Sequence, residues 1–130
     1  MGMPAAKQGD QILATDTHIT LIPGTPPVPT PLPHPFTGMI SGDTVSTVMI
    51  GGMPAAVAGS TAENLPPHIP QGGPFQKPPS NRGSVLMGST TVFIGGKPAA
   101  RQGDTAMTCN DPADLPVGTV IAAGTVFIGG

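Results

Sequence analysis

The apolar positions of this chain fall into short β-branched runs, and none forms a helical face. Thr47-Val48-Met49-Ile50, Thr91-Val92-Phe93-Ile94 and Thr125-Val126-Phe127-Ile128 are each followed directly by Gly-Gly. A run of that length, rich in Val, Ile and Thr and closed by glycines, predicts a strand, and the Gly-Gly-x-Pro that follows the first two predicts a turn into another strand. Prolines and glycines interrupt every longer window, and no stretch holds apolar residues at i, i+3, i+4 and i+7, which argues against helix throughout. The pattern predicts an all-β domain with long loops.

A second element recurs in phase with the first. Pro4-Ala5-Ala6-Lys7-Gln8-Gly9-Asp10, Pro54-Ala55-Ala56-Val57-Ala58-Gly59-Ser60 and Pro98-Ala99-Ala100-Arg101-Gln102-Gly103-Asp104 are three copies of one motif. The full unit is Thr-Val-x-Ile-Gly-Gly-x-Pro-Ala-Ala-x-x-Gly-Asp/Ser, and internal repetition at this level organises the whole fold. The sequence opens inside one unit at Pro4 and stops inside another at Gly130, so its two ends together complete a copy. If they meet in the same turn geometry, three hairpins close into a ring of approximate threefold symmetry. Such closure pairs strand edges that would otherwise invite aggregation, and it predicts neighbouring termini. Gly51 and Gly95 are expected at positive φ in the turns.

Composition changes this picture in two ways. The 130 residues fit a single domain, 1–130, with repeat elements around 4–10, 47–60, 91–104 and 125–130. Nineteen glycines and 18 prolines exceed a quarter of the chain, and four phenylalanines are its only aromatic residues other than histidine. Composition alone would suit a disordered repeat array with a thin core; the phasing of the repeats argues for a fold. The Pro-rich segments at about 23–36 and 66–79 are read as loops of polyproline II form, either ordered and contacting an effector or flexible.

Five Lys/Arg against seven Asp/Glu, with no basic cluster, argue against nucleic-acid binding. No basic region followed by an apolar stretch opens the chain and no window approaches a membrane span, so the expectation is synthesis in the cytoplasm without a signal peptide. The single cysteine, Cys109, has no internal disulfide partner, so any staple must come from metal or from a partner.

The histidines are placed in relation to the repeats. His18 lies nine residues after Gly9, His68 nine after Gly59, and Cys109 six after Gly103. On a threefold ring these positions converge near the axis, where three donors from three copies, with a fourth, suit a tetrahedral ion. His34, in Pro31-Leu32-Pro33-His34-Pro35-Phe36, is the candidate fourth, and Asp16, Asp10, Asp104 and Asp111 are alternatives to it. The competing reading makes these solvated loop histidines and a small buried thiol. Three imidazoles and a thiolate would fill the shell of one Zn2+ and leave no open position for water, so the metal would be structural.

Pro98-Ala99-Ala100-Arg101, with its variants at Pro4 to Lys7 and Pro54 to Val57, resembles the PAAR motif across nearly the whole chain. The first copy departs by Lys7, the second by Val57 and Ser60. The resemblance implies a conical, pseudo-threefold β domain whose broad base sits on a trimeric β-helical spike of a type VI secretion system or related phage-tail-like contractile injection system. It implies a structural zinc near the point, held by His18, His34, His68 and Cys109. It also implies a non-enzymatic, monomeric tip, one per spike trimer, ejected with the spike, in transient contact with a target membrane and open to effector or cargo partners. With the sequence ending on a repeat element, no fused effector is expected.

Two other functions compete. A zinc hydrolase would use the histidines catalytically, but Glu63 is the only glutamate and no His-Glu-x-x-His pattern exists. A proline-rich adaptor would present Pro26 to Pro35 to an aromatic groove.

Overall fold

The computed structural model of the chain describes residues 2–129. Twelve strands and no helix make up those residues: β1 (Met3–Pro4), β2 (Gln11–Ile22), β3 (Val28–Gly42), β4 (Val45–Ile50), β5 (Met53–Ala55), β6 (Thr61–Asn64), β7 (Arg82–Val85), β8 (Phe93–Ile94), β9 (Lys97–Pro98), β10 (Thr105–Thr108), β11 (Leu115–Ile121) and β12 (Phe127–Ile128). The all-β expectation holds, and the architecture is that of a small conical β domain.

The repeats build three equivalent hairpins. Met49 pairs with Pro54, Phe93 with Pro98, and Phe127 with Pro4; the next rungs are Ile50 with Met53, Ile94 with Lys97, and Ile128 with Met3. The third hairpin joins β12 to β1, so the two ends of the described chain meet as the repeat requires. In the two continuous hairpins both central turn residues have positive φ, 57° and 85° at Gly51 and Gly52 and 59° and 81° at Gly95 and Gly96. That is the twist-matched two-residue turn for which Gly-Gly is suited.

The Pro-Ala-Ala segments close the ring. Ala6 N–H donates to Ala100 O (2.9 Å), Ala100 N–H to Ala56 O (3.0 Å), and Ala56 N–H to Ala6 O (3.1 Å), a cyclic set of backbone bonds. Consecutive strand-like residues face opposite ways. Ala6, Ala56 and Ala100 accordingly join the barrel core with Ile12, Phe36, Ile40 and Val120, whereas Ala5, Ala55 and Ala99 join a second core with Ile50 and Ile128. All six alanines are buried where three segments of the chain crowd together, so small side chains on both faces let the backbones approach.

After each motif the chain turns at a positive-φ glycine, Gly9, Gly59 or Gly103. A side-chain oxygen four residues into the motif's second half satisfies the same amide each time: Asp10 accepts from Lys7 N–H, Ser60 from Val57 N–H and Asp104 from Arg101 N–H, at 3.0, 2.9 and 2.7 Å. The departures in the second copy follow from burial. Val57 and Ser60 are buried and uncharged, while the half-buried Lys7–Asp10 and Arg101–Asp104 pairs keep their charges.

Beyond the ring the chain forms a closed six-stranded barrel in the order β10-β11-β2-β3-β6-β7, one antiparallel pair after each motif. The β2–β3 pair is the longest, with register from Gln11↔Met39 to Ile22↔Val28. This corrects the expectation of a polyproline II loop at 23–36: residues from Val28 onward are strand. The reason lies in the spacing of the prolines. Pro29, Pro31, Pro33 and Pro35 face the odd-numbered residues of β2, and the odd amides of β2 point away from β3, Thr17 N–H to Asn110 Oδ1 and Ile19 N–H to Asp111 Oδ2. Every proline therefore falls on a non-bonded rung, its missing N–H directed to the free edge, which is where a sheet tolerates proline. The second Pro-rich segment, 66–79, has no regular strand and touches β2 by a single bridge, Phe75↔Thr20.

Candidate metal centre

Alternation along β2 and β3 sends even-numbered side chains inward, which buries Asp16 and His18 from β2 and His34 and Phe36 from β3. Asp16 and His34 sit directly opposite each other in the register. The other two donors arrive from the other repeats. His68 follows β6, its amide donating to Asn81 Oδ1 at 2.8 Å. Cys109 follows β10, and its neighbours anchor it to the outer edge of β2: Asn110 and Asp111 accept the Thr17 and Ile19 amides at 2.6 and 2.8 Å, and Asp111 N–H donates to Thr17 O at 2.8 Å.

The structure thus brings His18, His34 and His68 together, with ring centroids 4.8 Å apart for His18–His68, 5.6 Å for His18–His34 and 5.5 Å for His34–His68. Ligand atoms of Asp16, His18, His68 and Cys109 all lie within 4.8 Å of one another. Cys109 Sγ is 3.6 Å from His18 Nε2 and 3.4 Å from Asp16 Oδ2, and His68 Nε2 is 2.8 Å from Asp16 Oδ2. Of the other carboxylates weighed as donors, Asp111 approaches His18 Nδ1 at 3.5 Å without hydrogen-bond alignment, while Asp10 and Asp104 bond within the motif turns. Glu63 pairs with Arg82 at the surface.

The donors fit a metal ion chemically. His34 Nδ1 lies 2.9 Å from Leu32 O, which fixes its proton there and leaves Nε2 as a lone pair. That Nε2 is buried and has no hydrogen-bond partner, an arrangement proteins rarely leave uncompensated. His18 presents Nε2 to the thiol with Asp111 beyond Nδ1, the carboxylate–histidine order that orients a ligating imidazole. Burial pushes the His18 pKa down, against the opposing pull of Asp111, so the ring is held neutral, as a ligand must be. Burial foremost, and then Asp16, pushes the Cys109 thiol up to about 11. An ion entering the site would supply the positive charge that releases this proton.

Several contributors were not legible in the sequence. Phe75 covers the cluster, its ring 5.8 Å from His18 and 5.4 Å from His34. Asn64 ties β3 to His68, accepting Thr37 N–H at 2.9 Å and approaching His68 Nδ1 at 3.2 Å. Thr108 and Asn110, both buried, donate to Asp16. The one sequence signal for any of them is adjacency, Asn110 and Thr108 flanking Cys109.

No curated protein matches the chain. The family model for the PAAR motif matches residues 76–130, a span that holds the third motif copy, Cys109 and the closing strand. The third repeat of the chain thus carries a PAAR motif, and the ring sets the variant copies that begin at Pro4 and Pro54 in equivalent positions.

Proposed function

We propose that the protein is a non-enzymatic tip that caps a trimeric β-helical spike in a contractile injection apparatus, one tip per trimer, with a single structural zinc held by His18, His34, His68 and Cys109. The observation that carries the docking reading is a symmetric set of exposed apolar side chains. Met49, Phe93 and Phe127 occupy the same position on the three hairpins and are 55, 58 and 59% exposed, while their neighbours Ile50 and Ile128 are buried and Ile94 half-buried. Three like patches related by a threefold axis complement a partner with the same symmetry, and large apolar side chains are where interface energy concentrates. A motif family of spike-tip proteins supports the same assignment.

The zinc reading rests on His18, His68 and Cys109, whose ligand atoms lie within 4.8 Å of one another, and on the neighbouring His34, whose buried Nε2 has no hydrogen-bond partner. Four protein ligands would close the shell and give the ion a structural role, with its binding free energy added to folding. The whole of 1–130 would act as one domain, monomeric before docking and ejected with the spike.

The test is to mix the protein with its cognate spike and weigh the product by native mass spectrometry. A one-to-three complex is expected, abolished in Phe93→Glu/Phe127→Glu while the far-ultraviolet spectrum stays unchanged. No stable complex with the unaltered protein, or undiminished binding by the double variant, overturns the docking reading.

A further inference from the structure

Asp16 is the one carboxylate among the described residues that is fully buried, and its position in the cluster has a role beyond the four donors. We infer that Asp16 is the counter-charge of the metal centre and a positioning residue for Cys109, held outside the ligand set by its own hydrogen bonds. The inference rests on the zinc reading above and adds a residue to it.

Charge balance is the first argument. A divalent ion with three neutral imidazoles and one thiolate leaves one net positive charge in a site whose side chains are almost wholly buried. An uncompensated buried charge costs several kcal/mol even after relaxation. Asp16 would offset it from beside the donors, its Oδ2 2.8 Å from His68 Nε2 and 3.4 Å from Cys109 Sγ. The other nearby carboxylate, Asp111, lies 3.5 Å from Nδ1 of His18, on the opposite side of that ring from the Nε2 that faces Cys109, so it acts from farther out than Asp16.

Saturation is the second argument. Oδ1 of Asp16 accepts from the Thr108 hydroxyl and from Asn110 Nδ2 at 3.4 Å, and Oδ2 accepts from His68 Nε2 at 2.8 Å and from the Cys109 thiol at 3.4 Å. These four donors match the acceptor sites of a carboxylate, and the two on Oδ1, Thr108 and Asn110, are independent of any ion. His34 Nε2, directly across the register, has none. The bonds from Thr108 and Asn110 involve no metal-donor atom, so they persist when Cys109 and His68 turn to an ion. They clamp the residues on both sides of Cys109 to β2, aiming the thiolate at His18.

The experiment compares Zn2+ affinity, by chelator competition, and the Co2+ absorption spectrum for the full-length protein and for Asp16→Asn, Thr108→Val and His34→Ala. Asp16→Asn keeps the shape of the side chain and removes its charge. It should keep the tetrahedral Co2+ bands and the thiolate charge-transfer band while Zn2+ affinity falls roughly 10- to 100-fold, the usual effect of altering a residue that supports metal ligands. Thr108→Val removes one bond and no charge, and should cost about threefold or less. His34→Ala should lose the tetrahedral band intensity. Unchanged affinity in Asp16→Asn overturns the inference. So does a Co2+ spectrum that Asp16→Asn alters and His34→Ala does not, because Asp16 would then be a ligand. If Asp16→Asn fails to fold, Thr108→Val decides, since a loss of tenfold or more there would make the scaffold rather than the charge responsible. Absence of metal from the unaltered protein would instead defeat the zinc reading itself.

Discussion

Two glycines at equivalent turn positions give a controlled test of the ring. Gly51 and Gly95 have φ of +57° and +59°, so a Cβ at either meets the same left-handed backbone penalty, about 1–2 kcal/mol. Their surroundings differ. A Cβ on Gly51 would find only the Lys7 side chain, at 3.8 Å, which is ordinary contact, whereas one on Gly95 would lie 3.1 and 3.3 Å from the two γ-methyls of Val45. Val45 opens β4 and packs over the next hairpin, so that contact crosses between repeats and adds roughly 1 kcal/mol of overpacking. Gly51→Ala should thus destabilise by about 1–2 kcal/mol and Gly95→Ala by about 2–3 kcal/mol. For a domain of this size these correspond to falls in Tm of roughly 4–8 °C and 8–12 °C. Scanning calorimetry measures both, with Val45→Ala as the added arm: in that background the excess cost at Gly95 should vanish. Equal losses for the two glycines, or an excess that survives Val45→Ala, would refute the reasoning from the ring geometry.

Three further outcomes are expected. Cys109→Ala should release the metal and lower Tm by native mass spectrometry and calorimetry, whereas Lys77→Ala, whose Nζ makes only an exposed 3.3 Å bond to Pro112 O, should change stability by less than about 0.5 kcal/mol. Replacing Pro31 and Pro33 by Thr puts two N–H donors on the free edge of β3, and the variant should self-associate in light scattering while the unaltered protein does not. In chelator, stability should be greatest between about pH 6.5 and 9, the ordinary values for a His and a Cys. The His18 pKa is lowered in the fold, so its contribution is present above 6.5 and is lost as pH falls through the folded value. The Cys109 pKa is raised from 9.0 to about 11, so its contribution is present below 9.0 and is lost as pH rises through about 11. Denaturant midpoints across pH that rise monotonically would contradict this sign.

The repeats made the ring legible because each motif residue has one local task that does not depend on distant sequence: glycine at positive φ, alanine at the crowded axis, Asp or Ser on its own turn. Proline 29 to 35 misled for a related reason. The residue type argues for an isolated extended segment, and only the partner strand reveals that alternate spacing places every missing N–H on the unpaired edge. In the site, His18, His68 and Cys109 were legible because each follows the motif glycine of its own repeat, Gly9, Gly59 or Gly103, by nine, nine and six residues. Asp16 was named only as one of four alternative carboxylate donors, and Asn64 and Phe75 were not distinguishable from other residues of their types, since these roles arise from contacts between separate repeats: Asp16 with Thr108, Asn64 with Thr37, Phe75 with His34.

The two ends of the domain solve different packing problems, and this explains why one chain uses both repetition and a cluster of buried polar donors. At the ring, three segments of the chain converge on alanines, and cyclic backbone bonds supply the cohesion without large side chains. At the other end the symmetry is broken: β2 and β3 run well beyond their barrel neighbours, and the repeats contribute a loop and a short turn instead of matching strands. The interior there is filled by His18, His34, His68, Asp16, Thr108 and Cys109, a polar set that apolar burial cannot hold together. Hydrogen bonds of Asn110 and Asp111 to the β2 edge and of Asn64 to β3 bring the three repeats into contact, and the Phe75 ring packs beside those of His18 and His34. Each of those ties joins only two segments. A four-coordinate ion is the element that would join β2, β3, the loop at His68 and the turn at Cys109 at one point.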